Sequence, residues 1–219
     1  MTKKNLLAAL IMLFLFTASV TAQQAVTFSF ASDDNHAGAN FYYDPATPMN
    51  IFGSRVPVDL MVDRNDNSTG GIVTIQSYMY FRGEIIQYMN IPFAGNFLHI
   101  WKLHGYMRFY HNDNPLLPVL NINFNNAVLT SYSPTNTSAG ETMTLQVSES
   151  VDPNIIMSPM NLLPGIGVTP ATLAAFEDFA LTFTSIKTGA GTILIPLAGG
   201  GAFNDAWKAE GSFSASGCN

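Results

Sequence analysis

The fold is decided by residues 72–111, which read IVTIQSYMYFRGEIIQYMNIPFAGNFLHIWKLHGYMRFYH. Apolar and polar residues alternate through most of this segment, and no part of it has the period of an α-helix. Side chains two apart lie on the same side of a strand, so the pattern predicts antiparallel strands with one buried face. We expect turns at Arg82-Gly83 and at residues 92–96, and a bulge or tight turn at Gly105. The segment therefore predicts a four-stranded meander.

A sheet with one buried face needs a second layer, and the rest of the chain supplies further alternating runs. The clearest is Leu120, Ile122 and Phe124, which alternate with asparagines. Similar runs lie at residues 26–30, 56–62, 143–147, 179–184 and 207–213. We therefore predict an all-β protein, an antiparallel two-sheet β-sandwich of the jelly-roll or immunoglobulin-like kind.

One short helix is expected near residues 170–178. Thr169 followed by Pro170 fits an N-cap with proline at the first helical position. The preceding residues, 152–169, are rich in proline and glycine and predict a long connection. We expect the helix to cover one open end of the sandwich through Leu173 and Phe176.

The first residues have the features of an export signal. Two lysines precede an apolar core, and Val20-Thr21-Ala22 fits a cleavage site. The apolar core is shorter than the ~20 residues that span a bilayer, and no later stretch is long and apolar enough to span as a helix. We therefore expect residues 1–22 to be removed, leaving a single domain of residues 23–219. That domain is predicted to be secreted, to the extracellular space or the periplasm, without a membrane span.

The net charge excludes some classes of binding partner, and the cysteine count excludes a disulfide within the chain. The chain has nine Lys and Arg against fifteen Asp and Glu, a net charge of −6. Nucleic acid and anionic membrane surfaces are therefore poor partners. The one cysteine, Cys218, leaves no disulfide within the chain, and a domain of this length can bury a sufficient core without one.

A calcium site is a hypothesis for the turn before the meander. Asp63, Asn65 and Asn67 match the first half of a calcium-binding loop, D-x-N-x-N. The match then fails, because Ser68 replaces the tight-turn glycine and Thr74 replaces the bidentate glutamate. The alternative is a polar turn, since Asp and Asn tolerate turn geometry. No other cofactor is indicated.

Catalytic and histidine-based sites have little support. His99, His104 and His111 lie on neighbouring strands, but strand parity places His99 and His104 on opposite faces, which argues against a shared metal. The sequence has no G-x-S-x-G, H-E-x-x-H, paired-cysteine or P-loop motif. A glycosidase needs two carboxylates about 5 to 10 Å apart. Glu84 is the only glutamate in a predicted strand of the meander, and its second acid is unassigned.

An aromatic face is the feature that points to function. Parity and antiparallel pairing place Tyr78, Tyr80 and Tyr88 on the polar side of the meander. The same face should carry three polar residues: Gln76, Arg82 and Glu84. Tyrosines surrounded by amides and charges can bind a sugar ring or an extended partner, because the rings cover apolar surface while the hydroxyls stay in water. The alternative is that this face is a second buried layer.

These observations predict a secreted or cell-surface, non-catalytic protein that binds a glycan or an extracellular protein through an exposed sheet face or its loops. The alternative is a secreted, glycosidase-like hydrolase built on the same scaffold.

Overall fold

The computed structural model describes residues 26–31, 41–63, 71–148, 156–159, 168, 175–191 and 194–218. Within these ranges there is no α-helix, and a 3₁₀ turn spans Gly199–Gly201. The strands are β1 (Val26–Ala31), β2 (Phe41–Tyr43), β3 (Asn50–Asp63), β4 (Ile72–Phe93), β5 (Asn96–His111), β6 (Asn114–Ser133), β7 (Ser138–Ala139), β8 (Met143–Ser148), β9 (Ile156–Pro159), β10 (Ala175–Thr188), β11 (Ile195–Pro196) and β12 (Trp207–Cys218). The prediction of an antiparallel all-β protein is confirmed.

Ten strands form one large antiparallel sheet, and β7 pairs with β11 in a second, two-stranded sheet. The order in the large sheet is β1, β12, β10, β8, β6, β5, β4, β3 and β2, with β9 beside β6. β1 pairs with both β12 and β3, so the large sheet closes on itself. β2 bridges the same two strands a second time. A closed sheet satisfies the backbone groups that would otherwise line its edges.

An aromatic core fills the inside of the closed sheet. Leu120, Ile122 and Phe124 are buried, as their alternation predicts. The largest buried side chains include Trp101, Trp207, Tyr43, Phe28, Phe41, Phe109, Phe124, Phe183 and Phe203. Their rings pack closely, as in the edge-to-face pair of Phe41 and Phe183 with centroids 5.0 Å apart. Burial of large aromatic rings contributes much of the stability of a fold without disulfides.

The predicted two-sheet sandwich of jelly-roll or immunoglobulin type is not confirmed. The ten main strands belong to one hydrogen-bonded sheet, which covers its apolar face by closing rather than by packing against a second large sheet. Alternation within a strand shows which side is buried, and it does not show whether the covering layer is a separate sheet. No part of the described chain contains a helix long and apolar enough to cross a bilayer.

The predicted helix near residues 170–178 is wrong where it can be compared. Residues 170–174 lie outside the described residues, and residues 175–178 form the start of β10 instead. This segment pairs with β12, with a register shift between Phe176 and Asp178. For residues 175–178, pairing with a neighbouring strand supplies the backbone hydrogen bonds that a short helix would have supplied.

The predicted turn at Arg82-Gly83 is also wrong, because β4 continues straight through it. Gly83 lies directly opposite Gly105 on β5. A Cβ on Gly105 would collide with the backbone oxygen of Arg82, so glycine permits a close approach of two strands here rather than a reversal. The turn predicted within residues 92–96 is confirmed at Ala94-Gly95, with φ angles of 50° and 82°. The meander therefore has two long strands where four were expected.

Candidate functional site

The outer face of β4 carries five of the six residues predicted to bind a ligand. They alternate along the strand with inward-facing Ser77, Met79 and Phe81, which are buried. The five outward-facing residues are Gln76, Tyr78, Tyr80, Arg82 and Glu84. This face is open to solvent, so the alternative of a second buried layer does not apply to it.

Tyr88 lies on the opposite face from the other two predicted tyrosines. The β4–β5 ladder has a bulge between Ile85 and Gln87, where Ile86 has no partner on β5. One extra residue reverses the alternation, and Tyr88 therefore faces inward opposite the buried Trp101. The ring centroids of Tyr88 and Trp101 are 5.3 Å apart. The prediction that all three tyrosines share a face is wrong at Tyr88.

The neighbouring strand β5 adds two tyrosines and an arginine to the outer face. Tyr110 lies opposite Tyr78, and Arg108 lies opposite Tyr80. The rings of Tyr80 and Tyr110 meet edge to face, with centroids 5.6 Å apart. The guanidinium carbon of Arg108 lies 4.2 Å from the centre of the Tyr106 ring. These contacts hold the side chains in fixed positions while leaving part of each exposed.

These side chains form one wall of an open cleft of about 600 Å³ on the outside of the sheet. The other wall comes from the start of β6. We call this feature the tyrosine cleft, and its lining residues are Tyr80, Tyr106, Arg108, Tyr110, Pro115, Leu116, Pro118, Leu120 and Asn121. Leu116 is 88% exposed at its rim. A concave site lined by aromatic and apolar groups with a few polar atoms is typical of small-ligand binding.

Two polar groups of the cleft wall, the guanidinium of Arg108 and the side-chain oxygen of Asn121, indicate what kind of ligand the cleft could bind. Arg108 is the one charged side chain among the lining residues. Its guanidinium makes no ion pair with a carboxylate in the part of the chain that the structure describes. The side-chain oxygen of Asn121 is buried and has no hydrogen-bond partner among the described residues. A buried acceptor without a donor is costly, so a ligand that donates a hydrogen bond there would be stabilised.

Glu84 lies outside the tyrosine cleft and interacts with the side chains of His104 and Arg82. One of its carboxylate oxygens is 3.2 Å from His104 Nε2 and 3.8 Å from a terminal nitrogen of Arg82. Arg82 Nε also donates a hydrogen bond to the Asn50 side-chain oxygen, at 3.0 Å. On the neighbouring strand β3, the guanidinium carbon of Arg55 lies 4.5 Å from the ring centre of Tyr78. Glu84 is thus part of a surface polar network on the same outer face.

A second cleft, of about 760 Å³, lies where β2, β10 and β12 meet. Its lining includes both signs of charge, with Asp44 and Glu210 beside Lys187 and Lys208. Trp207 also lines it, and its buried indole nitrogen has no hydrogen-bond partner among the described residues. The lining of this cleft therefore carries both carboxylates and amines, whereas the only charged side chain lining the tyrosine cleft is Arg108.

Most of the proposed calcium loop lies outside the described residues. Asp63 ends β3, where it pairs with Ile72 and Thr27. Asn65 and Asn67 lie outside the described residues. Among the described residues, no three His, Cys, Asp or Glu side chains come together in a way that could hold a metal ion.

His99 and Tyr88 form a buried polar cluster that the sequence did not indicate. His99 Nε2 lies 3.0 Å from the backbone oxygen of Thr135, so this nitrogen carries the proton. The Tyr88 hydroxyl therefore donates to His99 Nδ1, at 2.8 Å. The Asn90 side-chain amide donates to the same hydroxyl and to the backbone oxygen of Asn136. The cluster fastens the β6–β7 loop to the inner face of the β4–β5 hairpin.

Burial shifts the titration of both rings in this cluster. Removal from water lowers the pKa of His99 below its usual value, and the bond to Thr135 opposes this only in part. Burial raises the pKa of the Tyr88 hydroxyl, against a smaller opposing effect of Asn90. Both groups are therefore held in their neutral forms, which is the behaviour of a structural cluster.

Sequence reasoning missed Tyr106, Arg108 and Tyr110 as site residues. The signal was present, because these three alternate with the apolar Met107 and Phe109 in the same segment. The missing element was the pairing of β4 with β5, which places the two sets of tyrosines side by side. No protein-family model, curated protein or solved structure matches this chain. Its function is therefore inferred from the geometry of the site.

Proposed function

We propose that this chain is an exported, non-catalytic protein that binds a glycan in the tyrosine cleft. The observation that supports this most directly is the pair of perpendicular, partly exposed rings of Tyr80 and Tyr110 in the wall of an open cleft. Sugar rings present apolar CH groups on their faces, and aromatic rings cover such groups while leaving the hydroxyls hydrated. An extended cleft of this size would accommodate a short oligosaccharide segment.

The polar groups of the cleft suit a sugar better than a fully apolar ligand. Asn121 lines the cleft and its side-chain oxygen lacks a hydrogen-bond donor, whereas sugar hydroxyls are abundant donors. The guanidinium of Arg108 is held over Tyr106 and presents several donors in one plane. Since the lining has no acidic side chain, a sugar that carries a carboxylate should bind more tightly than a neutral one.

The alternative of a glycosidase-like hydrolase has weaker support. Hydrolysis of a glycosidic bond needs two carboxylates facing the same sugar, about 5 to 10 Å apart. Glu84 does not line the tyrosine cleft, and none of the lining residues is acidic. The side chain of Glu84 is instead engaged with His104 and Arg82. We therefore favour binding without catalysis.

Export is the second part of this proposal. The predicted signal, residues 1–22, lies outside the described residues. Its support is the sequence pattern alone, and the expected destination is the extracellular space or the periplasm. Expression of the full chain with its own N-terminus should yield an exported product that begins at Gln23. An intracellular product that still begins at Met1 would contradict export without affecting the proposal for the cleft.

Binding is tested on the chain that begins at Gln23, first with a glycan array and then by calorimetry on the best hit. The Tyr80→Ala and Tyr110→Ala variants should each weaken binding by about 1–2 kcal/mol, roughly tenfold, because each removes ring surface from the cleft. Tyr132→Ala is the matched control, since Tyr132 is 57% exposed on another part of the sheet and should leave affinity unchanged. Equal affinities for all three variants would contradict the site.

The charge preference is tested with two oligosaccharides of the same length, one with uronic-acid carboxylates and one with those carboxylates methyl-esterified. Wild-type protein should prefer the acidic form, and Arg108→Gln should remove the preference while retaining binding through the tyrosines. Arg82→Gln is the control, because Arg82 does not line the cleft. If wild type and Arg108→Gln prefer the acidic oligosaccharide equally, Arg108 does not bind the carboxylate.

A further inference from the structure

The second half of β4 has a neighbouring strand on one side only. The ladder between β3 and β4 ends at the pair of Asn50 and Glu84. One more backbone bond follows, from Ile85 N to Met49 O at 2.7 Å. From Gln87 to Phe93 the strand pairs with β5, and none of the described strands lies along the other edge of residues 86–93. Among the described strands, residues 86–93 of β4 therefore have a free strand edge, which we call the open edge.

The open edge is apolar and exposed. The exposed fractions are 48% for Ile86, 38% for Met89, 45% for Ile91 and 54% for Phe93. The outward-facing residues of the open edge continue across β5 into Ile100 and Leu98 and onto Tyr132 of β6. The Phe93 and Tyr132 rings are 5.9 Å apart. Four of the eight exposed large apolar side chains of the described residues thus belong to the open edge, and Tyr132 lies next to it.

The usual protection of a strand edge is mostly missing here. Natural proteins protect edges with lysine, proline, bulges or a covering segment. Residues 85–101 contain no Asp, Glu, Lys or Arg, and neither do residues 114–140, which include all of β6. The open edge has a bulge at its first residue, Ile86, and a proline near its end, Pro92, while residues 87–91 between them have neither device. The edge can therefore accept another strand.

We propose that a second copy of this chain pairs with the open edge, strand against strand, to form a symmetric dimer. In antiparallel pairing around a two-fold axis, each residue of the edge faces an edge residue of the other copy, so the apolar faces of both copies join. Electrostatics favour this arrangement, because two chains of net charge −6 repel each other least where both lack charged side chains. The assembly stops at two copies, since β5 already occupies the other side of β4.

The dimer leaves the tyrosine cleft accessible. The cleft uses Tyr80 of β4, in the part of the strand that pairs with β3, and not the open edge. A dimer would therefore present two clefts, and a glycan with repeated units could bind both at once with higher avidity. Dimer formation itself does not depend on the proposed glycan binding.

The association is tested by sedimentation velocity on the chain that begins at Gln23, over a wide range of concentrations. Wild type should show a concentration-dependent equilibrium between monomer and dimer. The double variant Met89→Lys/Ile91→Lys should weaken dimerisation by about tenfold or more, because it places like charges across the shared edge. Ile72→Lys is the matched control, since Ile72 is 62% exposed on the same strand but lies in the segment that pairs with β3, and it should dimerise as wild type does.

Amide hydrogen exchange identifies which strand edge forms the dimer interface, and thermal unfolding shows whether the lysine variant is still folded. In wild type, amides between Ile86 and Phe93 should gain protection as the concentration rises, at alternate residues, because alternate amides of an edge strand point outward. The lysine variant should still unfold in one cooperative thermal transition. Its amide protection between Ile86 and Phe93 should not depend on protein concentration. A wild-type chain that stays monomeric, a dimer that survives the double substitution, or protection that appears only elsewhere would overturn the proposal.

Discussion

Among single residues, His99 has the most informative environment. Its imidazole is fully buried and bonded at both nitrogens, to Thr135 and to Tyr88. Strand parity predicted that His99 and His104 lie on opposite faces, and the structure agrees, since His99 is buried and His104 is exposed. The role as a clamp between a hairpin and a loop depends on Thr135, which is 36 residues away along the chain. That partner could not be found from local sequence.

The neutral state of His99 predicts a pH-dependent stability. Burial lowers its pKa in the folded chain, whereas the unfolded chain should titrate near the usual value of about 6.5. Below about pH 6.5 the unfolded chain therefore binds a proton that the folded chain does not, and the free energy of unfolding should fall as the pH falls from about 7.5 to about 5.5. Urea unfolding at several pH values measures this dependence.

A glutamine at position 99 is the direct test, because Gln can donate to Thr135 and accept from Tyr88 without titrating. The His99→Gln variant should have a flatter dependence of stability on pH over this range. Asn90→Ala is the control, since it removes two hydrogen bonds of the same cluster but keeps the His99 imidazole, and it should lower stability without flattening the slope. Parallel pH profiles for wild type and His99→Gln would refute the assignment.

At the scale of secondary structure, the bulge at Ile86 decides which face each side chain of β4 occupies. Before it, Tyr78 and Tyr80 face outward, and after it Tyr88 faces inward opposite Trp101. The sequence around Ile85-Ile86 shows two apolar residues in a row, which was the local sign of a change in phase. The sign was ambiguous, since paired apolar residues also occur in regular strands. The ladder with β5 resolves it.

Deletion of Ile86 should be tolerated, because the residues on both sides of the bulge already pair in register with β5. We expect the deletion variant to fold and to lose about 1 kcal/mol or less of stability, with Tyr88 still opposite Trp101. Deletion of Tyr80 is the matched control. It reverses every later side chain of β4, moves buried groups into water and should prevent folding. Circular dichroism and thermal unfolding of the two variants distinguish these outcomes, and equal damage from both deletions would contradict the role of the bulge.

For the whole molecule, closure of the sheet is the dominant feature. β1 is short, but it pairs with β12 along its length and with β3 near Asp63, so it joins the first and last parts of the sheet. Its Phe28 and Phe30 are buried in the core, where Phe30 stacks on Phe213 with ring centroids 5.3 Å apart. Contacts between distant parts of the chain hold such a fold together, which makes its unfolding cooperative.

Removal of β1 should therefore disrupt the entire domain. A chain that begins at Gln23 retains β1 and should show one cooperative thermal transition, whereas a chain that begins at residue 32 loses two buried phenylalanines and opens the sheet. Each buried Phe contributes about 3–5 kcal/mol, so the shorter chain should be unfolded at room temperature. Near-ultraviolet circular dichroism, which reports the packing of the aromatic core, measures the difference. A cooperative transition in the shorter chain would show that closure is dispensable.

The sequence by itself determined the antiparallel all-β class and the buried side of most strands, because alternation between inside and outside is a local property of a strand. It also placed Tyr78 and Tyr80 together on the polar side of the meander, but it left open whether that side is exposed. Only the tertiary structure decided that the sheet closes on itself, that residues 175–178 extend a strand, and that Tyr106, Arg108 and Tyr110 complete the cleft. These features arise from pairing between residues far apart in the chain, and one bulged residue was enough to turn Tyr88 to the other side.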